Sequence, residues 1–241
     1  MQDCEKGAPL KVNAILFDKD GTLFDFEASW ADWVHGVIAD LSDDTETLAE
    51  TLAAEVRFDR AARRFLPDSP IIAGTLDEVS ARLAPHLPGV TPQALSARIN
   101  ASSGSARMVP VTPLLPLLAG LRGRGLALGV ATNAAVAEAS AHLSAAGISA
   151  AFDFVAGCDS GYGAKPGPGM CRAFAETMGL DPAGVLMVGD SLHDLHAGRA
   201  AGMRVMAVLT GLATEADLAP HADAVLPHIG HLPGWLDADG I

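Results

Sequence analysis

Two carboxylates and a tight turn directly follow the first apolar run of the chain. Asp18 and Asp20 come after the run VNAILF at residues 12–17, and Gly21 and Thr22 follow them. The run is too short for a helix and rich in β-forming residues, which favours a buried strand. In open α/β sheets ligands bind at the carboxyl ends of the strands. The alternative is a solvated Asp-Gly turn without function.

A second pair of carboxylates has the same relation to a later run. Asp190 ends the run VLMVGD, and Asp194 lies four residues on, one turn into a helical segment. In a parallel sheet Asp18, Asp20 and Asp190 converge on one edge. Crowded carboxylates repel each other unless a hard cation neutralises them, and oxygen ligands of this kind suit Mg²⁺. A helix cap at Asp190 with a surface carboxylate at Asp194 is the alternative.

Hydrogen-bond donors follow two further runs. Thr132 and Asn133 end the run LALGVAT, and Lys165 lies in the loop GYGAKPGPGM after the run FDFVAG. Hydroxyl, amide and ammonium groups at neighbouring strand ends would bind phosphoryl oxygens. Each residue alone is weak evidence, because a Thr-Asn pair is often a helix cap and a loop lysine is usually solvated.

Six short apolar runs alternate with helical segments, and this alternation predicts the elements that position the site. The runs are residues 12–17, 126–132, 152–157, 185–190, 204–210 and 223–227. Glycines end several of the helical segments between them. Strands alternating with helices predict an α/β fold, a Rossmann-like doubly wound parallel sheet.

Residues 25–107 interrupt that alternation. They contain no convincing strand run and have helical patterns such as SWADWVHGVIADL and TETLAETLAAEV. The sequence therefore predicts a core domain from residues 1–24 and 108–241, with a helical domain inserted at 25–107.

Composition excludes several function classes. The 241-residue chain has 16 Lys and Arg against 29 Asp and Glu, for a net charge of −13, which should repel nucleic acids and anionic membranes. Its three cysteines have no CxxC spacing, and the first residues lack the apolar core of a signal peptide. We therefore expect a cytoplasmic protein without nucleic-acid or membrane partners. No oligomeric state follows from the sequence.

Four ordered segments, FDKDGTL, GVATN, GAKPGP and VGDSLHD, resemble the motifs of the haloacid dehalogenase-like hydrolases. The resemblance covers the core domain, and the insert resembles the helical cap of the phosphoglycolate phosphatase-like branch. It implies that Asp18 is the nucleophile and Asp20 the general acid and base. It further implies phosphoryl binding by Thr132, Asn133 and Lys165. The expected Mg²⁺ ligands are Asp18, Asp20 and Asp190, with Asp194 beside them.

The residue types are consistent with that chemistry. A phosphomonoester and a carboxylate nucleophile are both anionic, so Mg²⁺ and Lys165 must offset their repulsion. The resemblance implies a Mg²⁺-dependent phosphatase of a small phosphorylated metabolite, with a 2-phosphoglycolate-like acid as first candidate. A phosphosugar phosphatase, a nucleotidase or a phosphomutase would share all four motifs. Rivals from other classes are a phosphoaspartate receiver and a catalytically idle binding module.

Several other residues have two interpretations each. Lys19 would point toward the cap or into solvent. The aromatic residues Phe24, Phe26, Trp30 and Trp33 would line the substrate pocket or form the hinge and cap core. The arginines of VRFDRAARRF (Arg57, Arg60, Arg63 and Arg64) would bind a second anionic group of the substrate or form a solvated face.

Overall fold

The computed structural model describes residues 11–72 and 74–238. The two ends of the predicted core segment, residues 1–10 and 239–241, lie outside the described residues. The strands are β1 (Ala14–Phe17), β2 (Phe58–Asp59), β3 (Arg64–Phe65), β4 (Ala127–Ala131), β5 (Phe154–Ala156), β6 (Val185–Gly189), β7 (Arg204–Val208) and β8 (Ala224–Leu226). The α-helices are α1 (Phe26–Ser42), α2 (Glu46–Glu55), α3 (Leu76–Leu83), α4 (Pro92–Ser103), α5 (Leu114–Gly123), α6 (Val136–Ala145), α7 (Gly169–Met178), α8 (Leu192–Ala201), α9 (Glu215–Leu218) and α10 (Leu232–Ala238).

The main sheet has six parallel strands in the order β5-β4-β1-β6-β7-β8. Each of the six predicted runs contains one of these strands, so the predicted α/β fold is confirmed. β1 lies in the middle, pairing with β4 on one side and β6 on the other. The order reverses direction at β1, and this is where an open sheet leaves a crevice for ligands.

The central strands of the sheet are buried on both faces, which explains their continuous apolar character. All four residues of β1 and all five of β6 are buried. Two hydrophobic clusters flank the sheet, one on each face, and include α5 and α10 on one face and α7 and α8 on the other. This packing is what a parallel sheet requires, because its connecting helices cover both faces.

The segment between β1 and α5 forms a separate hydrophobic cluster of its own. We call residues 25–107 the insert. Helices α1 to α4 lie in it, and its buried cluster runs from Phe26 to Ile99. Asp25 caps α1 by accepting a hydrogen bond from the backbone N–H of Ala28, and Thr75 closes a capping box on α3.

The insert also contains a short antiparallel pair, β2 with β3, where the sequence predicts only helices. Phe58 pairs with Phe65, and both rings are buried in the cluster of the insert. Strands of two residues have no recognisable alternation, which is why the pattern did not indicate them.

No helix among residues 11–72 and 74–238 is both long enough and apolar enough to cross a membrane.

Candidate active site

The turn after β1 places Asp18 on the end of the central strand. The backbone N–H of Asp18 donates to the carbonyl of Val188, which ties the turn to β6. Gly21 has a φ of +81°, a conformation that favours glycine, and its N–H donates to the carbonyl of Phe24. The turn thus directs Asp18 to the sheet edge, where its side chain is 10% exposed.

Lys165 bridges two of the predicted site carboxylates. Its Nζ lies 2.6 Å from Asp18 Oδ1 and 2.5 Å from Asp194 Oδ1, and it donates to the Ala131 carbonyl at 2.8 Å. Burial would lower the pKa of Lys165, but the carboxylates of Asp18 and Asp194 outweigh burial and raise it. Lys165 is therefore a fixed positive charge at the end of β4, and the solvated alternative is wrong.

Three buried carboxylates form a group that fits a metal ion. Oxygen atoms of Asp18, Asp190 and Asp194 all lie within 4.8 Å of one another. Burial, together with the neighbouring carboxylates and against the opposing effect of Lys165, raises the pKa of Asp18 from 3.8 to about 7. Burial and the Asp18 and Asp194 carboxylates raise the pKa of Asp190 well above its usual value. Such crowding is what a hard cation relieves, and three carboxylates are suitable ligands for Mg²⁺.

The carboxylate of Asp190 is held on several sides by the chain. The hydroxyl of Thr22 donates to its Oδ1 at 3.2 Å. Gly21 and Gly211 lie so close that a Cβ at either position would collide with this carboxylate. The close approach of two backbone segments fixes the position of Asp190 in the three-carboxylate group.

Asp194 is positioned by the start of α8. Both the N–H and the hydroxyl of Ser191 donate to Asp194 Oδ2, at 3.1 and 2.7 Å, in a capping box. Its other oxygen is free for Lys165. Ser191 was not among the predicted site residues, although the spacing Ser-x-x-Asp before a helix is the signal that would have indicated it.

Thr132 and Asn133 lie at the end of β4, as predicted, beside Lys165. Thr132 is buried, and its hydroxyl accepts from the N–H of Ala134 at 3.2 Å. The side-chain amide of Asn133 donates to the Lys165 carbonyl at 2.9 Å and accepts from the Lys165 N–H at 2.8 Å. Asn133 thus positions the Lys165 loop. The phosphoryl-binding roles of Thr132 and Asn133 stay predictions.

Asp20 lies apart from the three-carboxylate group. Its Oδ1 accepts from the indole N–H of Trp30 at 2.8 Å, and its Oδ2 lies 2.9 Å from Lys19 Nζ. The two donors hold the carboxylate of Asp20 toward the insert, so the close group of side-chain oxygens contains Asp194 and does not contain Asp20. The predicted metal ligands Asp18, Asp20 and Asp190 stay a prediction.

Lys19 belongs to a second buried charge network, which the sequence did not reveal. It is fully buried and contacts Asp20, Glu138 Oε1 at 3.0 Å and His142 Nδ1 at 2.9 Å. His142 Nε2 lies 2.9 Å from the carbonyl of Ser103 in α4, so the network joins the sheet edge to the insert. Burial would lower the pKa of Lys19, but Asp20 and Glu138 outweigh burial and raise it.

The solvent-facing interpretation of Lys19 is therefore wrong. The signal that sequence reasoning missed is the pair Glu138 and His142, which lie four residues apart on one face of α6. Burial and the nearby charge of Lys19 lower the pKa of His142.

A cavity of about 140 Å³ separates the carboxylate edge from the insert. Asp18, Asp20, Thr132, Asn133 and Lys165 line it on the sheet side. Three of the four predicted aromatic residues, Phe26, Trp30 and Trp33, line it on the insert side, whereas Phe24 is buried in the core beneath.

The arginines of the insert do not line this cavity. Arg57 pairs with Asp68, Arg60 with Glu46 and Glu50, and Arg63 with Asp32. These ion pairs are made with acidic partners in the insert, and Arg64 is exposed. The interpretation of the four arginines as a solvated face agrees with these contacts.

Comparison with known proteins identifies relatives along most of the chain. A family model described as haloacid dehalogenase-like hydrolase matches residues 12–202. The chain is 31% identical over 227 residues to the phosphoglycolate phosphatase of Rhodospirillum rubrum, with 92% of this chain and 90% of that protein covered. It is 27% identical to the N-acetylmuramic acid 6-phosphate phosphatase of Pseudomonas aeruginosa, with 95% and 96% covered.

A solved structure from Haemophilus somnus 129pt, described as a predicted phosphoglycolate phosphatase, shares the fold. It superposes with a TM-score of 0.72 at 21% identity, with 93% of this chain and 97% of that chain covered. The family match and the similarity along nearly the full length confirm the resemblance of the motifs and the prediction of a phosphatase. The chain belongs to the haloacid dehalogenase-like hydrolases.

Proposed function

We propose that this protein hydrolyses a small phosphomonoester in a Mg²⁺-dependent reaction, through an aspartyl-phosphate intermediate on Asp18. The observation that carries the proposal is the bridge made by Lys165. This cation lies 2.6 Å from Asp18 at the wall of the cavity, and so offsets negative charge where a phosphoryl group would meet the nucleophile. Of the three clustered carboxylates, Asp18 is the one that directly follows the central strand β1.

The donor set fits Mg²⁺. Asp18 and Asp190 would hold the ion, and Asp194 completes the group of carboxylates. Ser191 and Lys165 fix the orientation of the Asp194 carboxylate. Bound Mg²⁺ would offset the negative charge of the phosphoryl oxygens and of the carboxylates around it. Crowded carboxylates with raised pKa values support this assignment, because only a cation lets all of them remain ionised.

The residues of the chain would then act in two steps. An oxygen of Asp18 attacks phosphorus, and the bond from phosphorus to the leaving oxygen breaks. Asp20 enters this step protonated, having given up one of the hydrogen bonds that it accepts from Trp30 and Lys19, and it donates its proton to the leaving oxygen. Asp20 next takes a proton from the water that attacks the aspartyl-phosphate, which releases phosphate and restores Asp18.

The candidate substrates follow from the relatives. A 2-phosphoglycolate-like acid is the first candidate, because the Rhodospirillum rubrum relative is named a phosphoglycolate phosphatase. Phosphosugars and nucleoside monophosphates remain alternatives, because the residues at the sheet edge act on the phosphoryl group, which all of these compounds share. A phosphomutase would use the same residues and pass the phosphoryl group to a second sugar hydroxyl.

The test is phosphate release from 2-phosphoglycolate, phosphosugars, nucleoside monophosphates and p-nitrophenyl phosphate. Each assay is run with Mg²⁺ and again with a chelator. We expect release that depends on Mg²⁺ and is restored when Mg²⁺ is added back. Failure of every ester with Mg²⁺ present and the protein folded would contradict the proposed function. Transfer to an added sugar in place of release would establish the mutase.

A further inference from the structure

The cavity has two chemically different ends. At the sheet end it is lined by the charged groups that would handle a phosphoryl group, among them Asp18 and Lys165. At the insert end its walls are aliphatic and aromatic side chains from α1, α3, α4 and the loop before α3. The leaving group of a phosphomonoester bound at Asp18 would extend toward that apolar end.

Part of this apolar wall is accessible from the cavity. Five of the lining side chains remain partly exposed, whereas a closed core would bury them: Trp33, Val37, Ile71, Ile72 and Leu76. These five pack against the buried cluster of the insert, and members of that cluster such as Trp30 and Val34 supply the rest of the apolar wall. Apolar side chains that line a cavity at a reaction centre are the usual walls of a small-molecule site.

Cationic partners for a charged leaving group are scarce in this cavity. Within the part of the chain that the structure describes, Lys165 is the only lysine or arginine in the lining. It is already engaged by Asp18 and Asp194. Of the other ionisable lining groups, Asp20 and Glu138 are acids that would repel an anion, and His193 lies at the sheet end beside Asp194.

The apolar character of the insert end affects the binding free energies of charged and apolar leaving groups differently. A carboxylate moved from water to the apolar end would lose its hydration without gaining a cationic partner, which is costly. An apolar group moved there would gain from leaving water. The volume of about 140 Å³ is shared by both ends of the cavity, so the apolar end admits only a small leaving group.

On the basis of the proposed function, we infer that the preferred substrate is a phosphomonoester with a small, uncharged, apolar leaving group. The insert then selects against small phosphorylated acids. This inference departs from the first candidate drawn from the names of the relatives, and 2-phosphoglycolate becomes the poor substrate of the panel.

The test compares benzyl phosphate and 3-methylbutyl phosphate with 2-phosphoglycolate and glycerol 1-phosphate. All four release a primary alcohol, so differences in rate report binding more than intrinsic reactivity. We expect kcat/KM for the apolar esters to exceed that for 2-phosphoglycolate at least tenfold, mainly through a lower KM. A kcat/KM for 2-phosphoglycolate equal to or above that for the apolar esters would overturn the inference and leave the proposed function intact. No release from any ester would instead contradict the proposed function.

A variant sharpens the comparison. Val37→Arg places a cation on the apolar wall of α1, and we expect it to lower the ratio of benzyl phosphate to 2-phosphoglycolate kcat/KM at least tenfold. Ala101→Arg is the matched control, because Ala101 is exposed on α4 and outside the cavity lining. A ratio equally changed in both variants, or unchanged in a folded Val37→Arg protein, would overturn the inference. If Val37→Arg fails to fold, the wild-type comparison decides alone.

Discussion

Two buried lysines, Lys165 and Lys19, each bridge a pair of carboxylates, but the two bridges lie in different regions of the molecule. Lys165 joins Asp18 and Asp194 and lines the cavity. Lys19 joins Asp20 and Glu138 and lies behind the lining, where it also contacts His142. The same ion-pair chemistry thus offsets charge where the substrate would bind in one case, and in the other holds Asp20 and connects the insert to the sheet.

The contrast teaches that burial of a charged residue does not by itself indicate catalysis. Both lysines are among the most buried charged residues of the described chain, and the pKa of each is raised by neighbouring carboxylates. What separates them is access to the cavity. We therefore expect their removal to affect turnover and stability to different extents.

The largest effect is expected at Asp18, the proposed nucleophile that Lys165 contacts. Asp18→Asn should reduce turnover by on the order of 10⁴-fold or more, because an amide cannot form the aspartyl-phosphate. The volume hardly changes, so circular dichroism and thermal unfolding should show a folded protein. Activity near that of the wild type in a folded variant would refute the assignment of Asp18.

Removing Lys165 should impair both turnover and stability. Lys165→Met leaves Asp18 and Asp194 without their shared cation, so turnover should fall by about 10³-fold. The free energy of unfolding should drop by about 3–5 kcal/mol, as when one partner of a buried ion pair is removed. Steady-state kinetics and denaturant unfolding without Mg²⁺ measure the two effects. Lys11→Met, at an exposed lysine, is the control that should change neither.

Removing Lys19 should separate the two effects. Lys19→Met leaves Asp20 and Glu138 without a cation, and we expect a loss of unfolding free energy of about 3 kcal/mol. Turnover should fall only about 10- to 100-fold, because Asp20 remains present but less well positioned. The reduction should appear in kcat more than in KM. A loss of turnover as large as that of Lys165→Met would remove the distinction between the two lysines.

The smallest effect concerns pH and the crowded carboxylates beside Lys165. The folded-state pKa of Asp18, about 7, and that of Asp190 lie above the 3.8 of an unperturbed aspartate. The folded protein therefore holds protons that the unfolded chain has released. Their contribution to stability is complete below about pH 4 and is lost as the pH rises through about 7.

Asp190→Asn should reduce the loss of folding stability that the metal-free protein shows as the pH rises. At pH 7.5 we expect its Tm to exceed that of the metal-free wild type by about 3 °C, since roughly 1 kcal/mol of repulsion is removed. Mg²⁺ should raise the Tm of the wild type but not of the variant. Thermal unfolding at pH 5 and pH 7.5 measures both, and a variant less stable than the metal-free wild type at pH 7.5 would contradict the repulsion argument.

The sequence was sufficient for the parts of the site that follow from strand ends. Each predicted apolar run became a strand, and parallel strands bring their carboxyl ends to one edge, so Asp18, Thr132 and Asp190 had to meet. The Lys165 loop follows β5 and reaches the same edge.

Side-chain direction and packing between distant segments were beyond the sequence. The orientation of Asp20 depends on Trp30 and Lys19, and the Lys19 network forms only when α6 and α4 pack near the turn after β1. The β2–β3 pair was missed because strands of two residues have no period. The apolar wall became evident only when the folded insert showed which side chains face the cavity.

The central position of β1 has a consequence for how the protein is made. Ala14 pairs with Ala127 on one side and with Val185 on the other, so the first strand to be synthesised must wait for partners much later in the chain. At about 5–20 residues per second, Asp18 and Asp190 leave the ribosome roughly 10 to 35 s apart. During that interval the insert has all the residues of its own hydrophobic cluster and can collapse first. The aspartates that repel one another therefore meet only when β6 pairs with β1, which makes assembly of the active site a late event in folding.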